Sequence, residues 1–361
     1  MAVLEQINTY PIKALASQRL STVELVKACG IPGDRQFALT LDTTIDGSTW
    51  HSSRSFLINA LNDGLLRISV DGSGSNVSLT GPGEHGLTFD TDDQETLDAI
   101  NKELPGLLSL DDPANESPRI VKRQSDGGPA GFWDFQDSQI SIMNIASLHA
   151  VSQALGQRLD IDRFRGNLII SDLPAWSEFG FAGFRFRLGE AELEFTRPVR
   201  RCAATAVNPI SGVRDIPVNR LLAEQFGHGY FGMYGQVVRS GAISKGDVLK
   251  RIGPAKTQSS EAMVQGAGDY ALWPKLAVLE KVMSAGSHIE LSIASNGCWP
   301  LIAGESSGSL KLHIGPGSVI RGRLVKRNSG SSLEVVCEDA SGKLNGLKPK
   351  DLLVVTGPFG R

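Results

Sequence analysis

Glycine and proline interrupt this chain too often for a helical fold: 40 glycines and 17 prolines fall among 361 residues. A glycine inside a helix costs roughly 1 kcal/mol and a proline about 3, whereas both suit the turns between short strands. The fold class expected is therefore mainly β with a few helices. The length points to two or three domains with at least one sizeable core. A balance of 36 Lys+Arg against 39 Asp+Glu, net charge −3, excludes nucleic-acid binding by bulk positive charge and an acidic disordered chain. No apolar run reaches the ~18–20 residues of a membrane span, so none is expected. The segment Met1–Pro11 lacks a basic start and reads as a first strand, not a signal peptide. Cys29, Cys202, Cys298 and Cys337 are too scattered for a disulfide framework or a Cys-x-x-Cys zinc site, which fits a reducing cytoplasmic location.

Alternation marks the strands. Phe37, Leu39 and Leu41 share a strand face before a turn at 42–47, and 66–70 reads as another strand, stopped by Asp71-Gly72. Leu97, Ile100 and Leu104 have helical spacing, with Pro105-Gly106 as the stop. Residues 111–131, rich in Asp, Pro, Gly and Ser, read as a domain boundary or long loop. Beyond it, Asn144 caps a helix carrying Leu148, Val151 and Leu155, closed by Gly156. Residues 168–170 form a buried strand, and 184–188 with 191–195 a hairpin about Gly189-Glu190. Pro217 opens a helix with Val218, Leu221, Leu222 and Phe226, closed by Gly227. Residues 255–275 read as a linker. The strand-like, Gly-rich stretch 276–361 suggests a small antiparallel barrel or sandwich. Asp247-Val248-Leu249 with Gly253-Pro254 is echoed by Asp351-Leu352-Leu353 with Gly357-Pro358, by chance or because two barrels end on similar strands.

Four segments could carry chemistry. Arg200-Arg201-Cys202 follows the hairpin, and nearby guanidinium groups favour the thiolate that a soft metal or sulfur transfer requires. The same residues equally suit a small buried side chain beside a solvated arginine face. Gly33-Asp34-Arg35 and Tyr10-Pro11-Ile12-Lys13 place a cation at a strand end, where structural ion pairs are common. Asp162-Arg163-Phe164-Arg165-Gly166-Asn167 is a donor-rich set suited to an oxyanion or phosphate, or else a surface loop.

Taken in order, these pieces resemble the molybdenum-cofactor-sulfurase C-terminal (MOSC) domain proteins that carry an N-terminal β-barrel partner, of the amidoxime-reducing-component type. Matching features are Tyr10-Pro11-Ile12-Lys13, Gly33-Asp34-Arg35, Asp137-Ser138, Ala146-Ser147-Leu148, Arg163-Phe164-Arg165-Gly166-Asn167, Arg201-Cys202 with Asn208-Pro209 and Gly212, Tyr234-Gly235-Gln236 and Gly246-Asp247-Val248. The resemblance implies an N-terminal MOSC β-barrel-like domain at 1–110, a MOSC domain at 111–254, and a small all-β domain of unknown role at 276–361. It implies a molybdenum–pyranopterin cofactor bound between the first two. Cys202 matches the cysteine that ligates the metal. Lys13, Arg35, Arg165 and Asn167 match positions that hold pterin and phosphate, and Arg54, Ser138 and Arg201 match further contacts. Two departures touch cofactor contact: Ala14 replaces a hydroxyl residue, and Asn144-Ile145 replaces Ser-Glu.

The activity so implied is reduction of small N-hydroxylated compounds, with electrons from a separate redox protein. No iron–sulfur cluster is expected, because 276–361 holds only Cys298 and Cys337 where a ferredoxin needs four cysteines, and pyridoxal phosphate is not expected. His228 is one candidate proton donor, Cys29, Cys298 and Cys337 are expected to be packing residues. The alternatives are a sulfur carrier using a Cys202 persulfide and non-catalytic binding of the cofactor.

Overall fold

Strand Ala2–Thr9 organises the N-terminal two-thirds of the computed structural model. The structure describes residues 1–73, 76–83, 86–90, 92–108, 118–124, 134, 140–255, 275–285, 288–295, 309–315, 318–327, 332–337, 347–349 and 351–356. An eight-stranded sheet runs in the order Leu168–Ser171, Ile140–Asn144, Tyr230–Arg239, Ala191–Arg200, Phe184–Leu188, Val248–Pro254, Ala2–Thr9, Gln18–Leu20. Ala2–Thr9 also pairs antiparallel with Leu168–Ser171, so seven of these strands close into a ring. Inside lie Leu4, Ile7, Ile142, Leu168, Ile170, Leu193 and Phe195. Strand 184–188 shows the expected alternation: Phe184, Phe186 and Leu188 are buried between Arg185 and Arg187.

Among the described residues, strands Ile140–Asn144 and Leu168–Ser171 pair in parallel, which requires a crossover. Helix α2 (Ile145–Leu155, the second of three among the described residues) supplies it. The Asn144 side chain accepts from the Ala146 amide, and Gly156 closes the helix at φ 75°. Helix α3 (Val218–Phe226) likewise runs from Pro217 to Gly227.

A second core lies beside the first. The meander Ser69–Ser73, Asn76–Thr80, Gly86–Asp90 and helix α1 (Gln94–Leu108) enclose Ile12, Leu15, Phe37, Leu39, Leu79, Phe89, Leu97, Ile100 and Leu104. Three sequence expectations are corrected here. Residues Asp63–Arg67 form a 3-10 turn that buries Leu65 and Leu66. The strand expected at 66–70 therefore starts at Ser69 and runs through Asp71-Gly72. Helix α1 does not stop at Pro105: burial of Leu107 holds a last turn that the missing proline N–H weakens. Residues Arg119–Lys122, inside the expected boundary, form a strand paired with Phe37–Thr40.

Blocks 1–110 and 111–254 also interleave. Ala2–Thr9 and Gln18–Leu20 belong to the sheet of the second block, and Thr22–Leu25 pairs with Gly241–Ser244, because Ala2, Leu4 and Ile7 are the apolar staves that close the ring. The chain leaves that ring at Tyr10 and enters the second core at Ile12, so Lys13 sits at the seam.

Six described strands form a closed antiparallel barrel in the order Lys275–Ala285, His288–Ser295, Ser332–Cys337, Ser318–Arg327, Ser309–Gly315, Leu352–Thr356. Its interior includes Leu279, Leu291, Leu312, Val335, Leu353 and Val355. Strand Lys275–Ala285 carried no sequence assignment, and 256–274, read as a linker, lie outside the described residues. The Asp247 and Asp351 half of the internal echo has a structural counterpart, and Gly357-Pro358 lie outside the described residues. The Ser244 amide donates to the Asp247 carboxylate, and the Lys348 amide to that of Asp351. The carbonyls of the two aspartates then accept from Leu4 and Leu279, each at 2.8 Å.

Candidate functional site

A cleft of about 420 Å³ opens at the seam between the two cores, lined by Lys13, Arg35, Arg165, Arg201 and Cys202 along with Trp50, Asn59, Asp134, Arg163, Thr205 and Tyr234. Five of the eight residues singled out from sequence thus meet in one place.

Lys13 leaves the first strand at the Tyr10-Pro11 corner, its amide bonded to the Phe37 carbonyl at 2.8 Å. Arg35 and Arg165 both adopt left-handed backbone conformations, φ 49° and 53°. Such conformations cost of order 1 kcal/mol or more for non-glycine residues and persist where the surroundings enforce them. Here Arg35 is enforced by its own amide bond to the Tyr10 carbonyl at 2.7 Å, and Arg165 caps the turn Ile161–Phe164. Gly166 then lets the backbone pass Met143, whose side-chain atoms would stand 2.4–2.8 Å from a Cβ at that position.

Both guanidinium carbons lie 4.3 Å from the centroid of the buried Tyr10 ring, so the two charges are no farther apart than twice that distance. Like charges at that range repel by roughly 2 kcal/mol at an effective dielectric of about 20. The electron-rich ring face offsets part of this. Arg35 has further support: Nη1 contacts the Asp34 carboxylate at 2.6 Å and Nε the Asp134 carboxylate at 2.7 Å. Burial alone would lower its pKa, but the two carboxylates hold it above the ordinary value. Asp134 also pairs with Lys13. Burial opposes its ionisation, yet Lys13 and Arg35 outweigh that and hold it down to about 2.

Arg165 and Arg201 are different. Arg165 donates to the Leu15 carbonyl at 2.7 Å, and its Nη2 is buried with no hydrogen-bond partner among the described residues. Arg201 donates to the carbonyls of Phe164 (2.7 Å) and Phe231 (2.9 Å) and lies over the stacked Phe164–Phe231 pair. Among the described residues, no carboxylate pairs with either. Burial accordingly lowers both pKa values, Arg201 to about 10. Two half-buried guanidiniums, one held only by longer-range attraction to Asp134 and Asp34, leave the cleft with surplus positive charge.

Cys202 is exposed, at the start of the turn Ala203–Ala206, where its carbonyl accepts from the amide (3.2 Å) and hydroxyl (2.9 Å) of Thr205. A solvent-accessible thiol at the mouth of a cationic cleft can ligate a metal or carry sulfur. Among the described residues, no cluster of three or more His, Cys, Asp or Glu side chains could hold a metal ion. A metal here would bring most of its ligands with it.

The other sequence candidates fall elsewhere. Asn167 is 1% exposed and supports the cleft from behind: its amide donates to Asp34 (2.9 Å) and Asn8 O (3.2 Å) and accepts from Ser141. Arg54 is exposed, and its neighbours Ser52 and Ser53, not Arg54 itself, line the cleft. Ser138 and Cys298 lie outside the described residues. His228 is not at the cleft; it sits among Trp176, Phe179 and Phe226, its Nδ1 accepting from the Tyr230 amide. Cys29 is half-buried and Cys337 buried.

Sequence reasoning missed Asp134, Trp50 and Asn59. Asp134 pairs with Lys13 across 121 positions, which leaves no local signature. Arg163, quoted as a cluster member, is engaged by Asp215 through a fork of 2.7 and 2.6 Å.

Residues 122–250 match the MOSC domain family: the chain carries a MOSC domain there. The chain is also similar to mitochondrial amidoxime-reducing component 1 of Danio rerio, 25% identical over 226 residues, covering 52% of this chain and 68% of the relative. Among solved structures it is similar to YiiM from Geobacillus stearothermophilus (20% identity, TM-score 0.27, 32% of this chain and 55% of that one). A second is the YUAD protein from Bacillus subtilis (13% identity, TM-score 0.33, 71% and 98%). The chain thus spans about half of YiiM, and the fold assignment rests on the strand pairing above. No described helix is long and apolar enough to cross a membrane.

Proposed function

We propose that the cleft holds a molybdenum–pyranopterin cofactor and that the protein reduces small N-hydroxylated compounds, taking electrons from a separate redox protein. The observation that carries this reading is the exposed thiol of Cys202 at one cleft with two half-buried guanidiniums that have no carboxylate ion pair among the described residues. The orphaned Nη2 of Arg165 and the surplus positive charge fit a cofactor with an anionic phosphate and an acceptor-rich ring. Lys13, Arg35, Arg165 and Arg201 would bind the phosphate and pterin, and Cys202 would ligate the metal. When bound, the group supplies two-electron oxygen-atom transfer at an N–O bond. The protein's own contribution is positional: Asp34 and Asn167 fix Arg35 from behind, and the Thr205 contacts fix the Cys202 backbone. The relative named for amidoxime reduction and the MOSC match support the reading.

The test is the molybdenum and pterin content of protein made in a host that synthesises the cofactor, with turnover of a hydroxylamine or amidoxime by an artificial reductant. Stoichiometric metal with turnover is expected. Protein free of both metal and pterin from such a host refutes the reading. The exposure of Cys202 also suits a sulfur carrier; persulfide on metal-free protein, with no N–O reduction, would favour that instead.

A further inference from the structure

Two arginines that line one cleft carry like charges, and the structure sets a single aromatic ring against both. Arg35 and Arg165 come from segments 130 positions apart, yet both guanidiniums are 4.3 Å from the same aromatic ring, that of Tyr10. Tyr10 is almost wholly buried, at 1% exposed. It is bonded to both arginine-bearing segments, through its main chain to one and through its hydroxyl to the other. The Tyr10 amide donates to Asp34 Oδ1 at 2.7 Å, its carbonyl accepts from the Arg35 amide at 2.7 Å, and its hydroxyl donates to the Gly166 carbonyl at 3.2 Å.

We propose that Tyr10 is a positioning residue for anion binding: its ring face holds the Arg35 and Arg165 guanidiniums together, so that one phosphate can be bound by both. The claim rests on the cationic-cleft reading above. An aliphatic side chain could fill the space but has no negative face to attract cations. Ring electronics, not volume or the hydroxyl, should therefore control anion affinity.

The experiment titrates inorganic phosphate into cofactor-free protein by calorimetry, for the parent, Tyr10→Phe and Tyr10→Leu. Melting temperatures are recorded, and the molybdenum content of each variant is measured after production in a cofactor-synthesising host. Tyr10→Phe should bind phosphate within about twofold of the parent. Tyr10→Leu should bind at least tenfold more weakly and carry correspondingly less molybdenum. Because leucine could compromise folding, a second series places phenylalanines of increasing fluorination at position 10. These drain the ring face at nearly constant shape, and affinity should fall stepwise. Equal binding across the fluorinated series, or by folded Tyr10→Leu, overturns the proposal, as does loss of binding in Tyr10→Phe. If the parent itself binds neither phosphate nor cofactor, the anion-cleft reading fails and this inference falls with it; parent binding with an indifferent ring sinks the inference alone.

Discussion

The Arg35 guanidinium donates through Nη2 to the main-chain carbonyl of Arg165 at 2.8 Å. That bond ties the Gly33-Asp34-Arg35 turn to the Arg165-Gly166-Asn167 turn, and a second tie runs just behind it from the Asn167 amide to Asp34 at 2.9 Å. One cation is thus held by the backbone of the segment that presents the other. The two left-handed arginines are a matched pair, and the strain at each is sustained by bonds that converge on the cleft.

Removing Arg165 should separate stability from binding. Its left-handed backbone and its half-buried charge, which has no carboxylate ion pair among the described residues, both cost free energy. Arg165→Gly relieves both, while the 165 carbonyl that accepts from Arg35 stays. The variant should melt no lower than the parent without cofactor, yet bind phosphate at least tenfold more weakly. Thermal melts and phosphate calorimetry check this; a large drop in melting temperature would show that the Leu15 contact matters more than the relieved strain.

Asp134 supplies the carboxylate that Lys13 and Arg35 share. Asp134→Asn leaves two buried cations with one carboxylate fewer, so cofactor-free protein should lose roughly 1–3 kcal/mol. Its phosphate affinity should rise, because the anion no longer competes with a carboxylate of the chain. Added phosphate should then close most of the gap in melting temperature between variant and parent. An Asp134→Asn protein as stable as the parent and no better at binding phosphate would show that the carboxylate neither neutralises nor blocks these cations.

A separate pH signature comes from Glu178, which is fully buried under α2. Its carboxyl accepts from the Ser147 hydroxyl at 2.7 Å and from the Asn144 amide at 3.1 Å, and burial pushes its pKa up to about 7. The folded pKa lies above the unfolded one, near 4.3. The contribution of the protonated form is therefore fully present below about pH 4 and is lost as pH rises through about 7. Across that window the parent should lose stability of order 3 kcal/mol relative to Glu178→Gln, which does not titrate. Chemical denaturation at pH 5 and pH 8 measures the difference; parallel profiles for the two proteins would mean that Glu178 is already ionised at pH 5.

How much of this was legible follows from the range of each interaction. Asn144 with Gly156, Pro217 with Gly227, and the turn at Gly189-Glu190 were readable because caps and hairpin turns are set within a few residues. Leu66 was misassigned for a physical reason: a buried 3-10 turn and a short strand can both bury a leucine there, and five residues do not resolve the period. The cationic residues of the cleft emerged from the order of motifs, since no local pattern says that Lys13 will meet Arg165. The family pattern also did not distinguish Asn167, which braces Asp34, from residues that face the cleft. Asp134 and the shared Tyr10 ring were invisible because pairing and stacking were completed by segments more than a hundred residues apart.

Cys202 offers the sharpest division between readings. Its main chain is anchored by Thr205 and its side chain is exposed, so Cys202→Ala should melt within a degree or two of the parent. Loss of N–O reduction in that variant could not then be blamed on unfolding. Molybdenum and pterin should persist in part, because Lys13, Arg35, Arg165 and Arg201 are untouched. Cys202→Ser should not restore turnover: a serine hydroxyl is a harder donor and ionises far less readily than a thiol. Cys29→Ala, at a half-buried thiol outside the cleft lining, serves as the control and should turn over like the parent. Near-normal turnover in Cys202→Ala would show that the sulfur is not a metal ligand. A dead Cys202→Ala beside a metal-free parent with persulfide at Cys202 would move the protein to the sulfur carriers, with the same cationic cleft then serving to seat the acceptor of that sulfur.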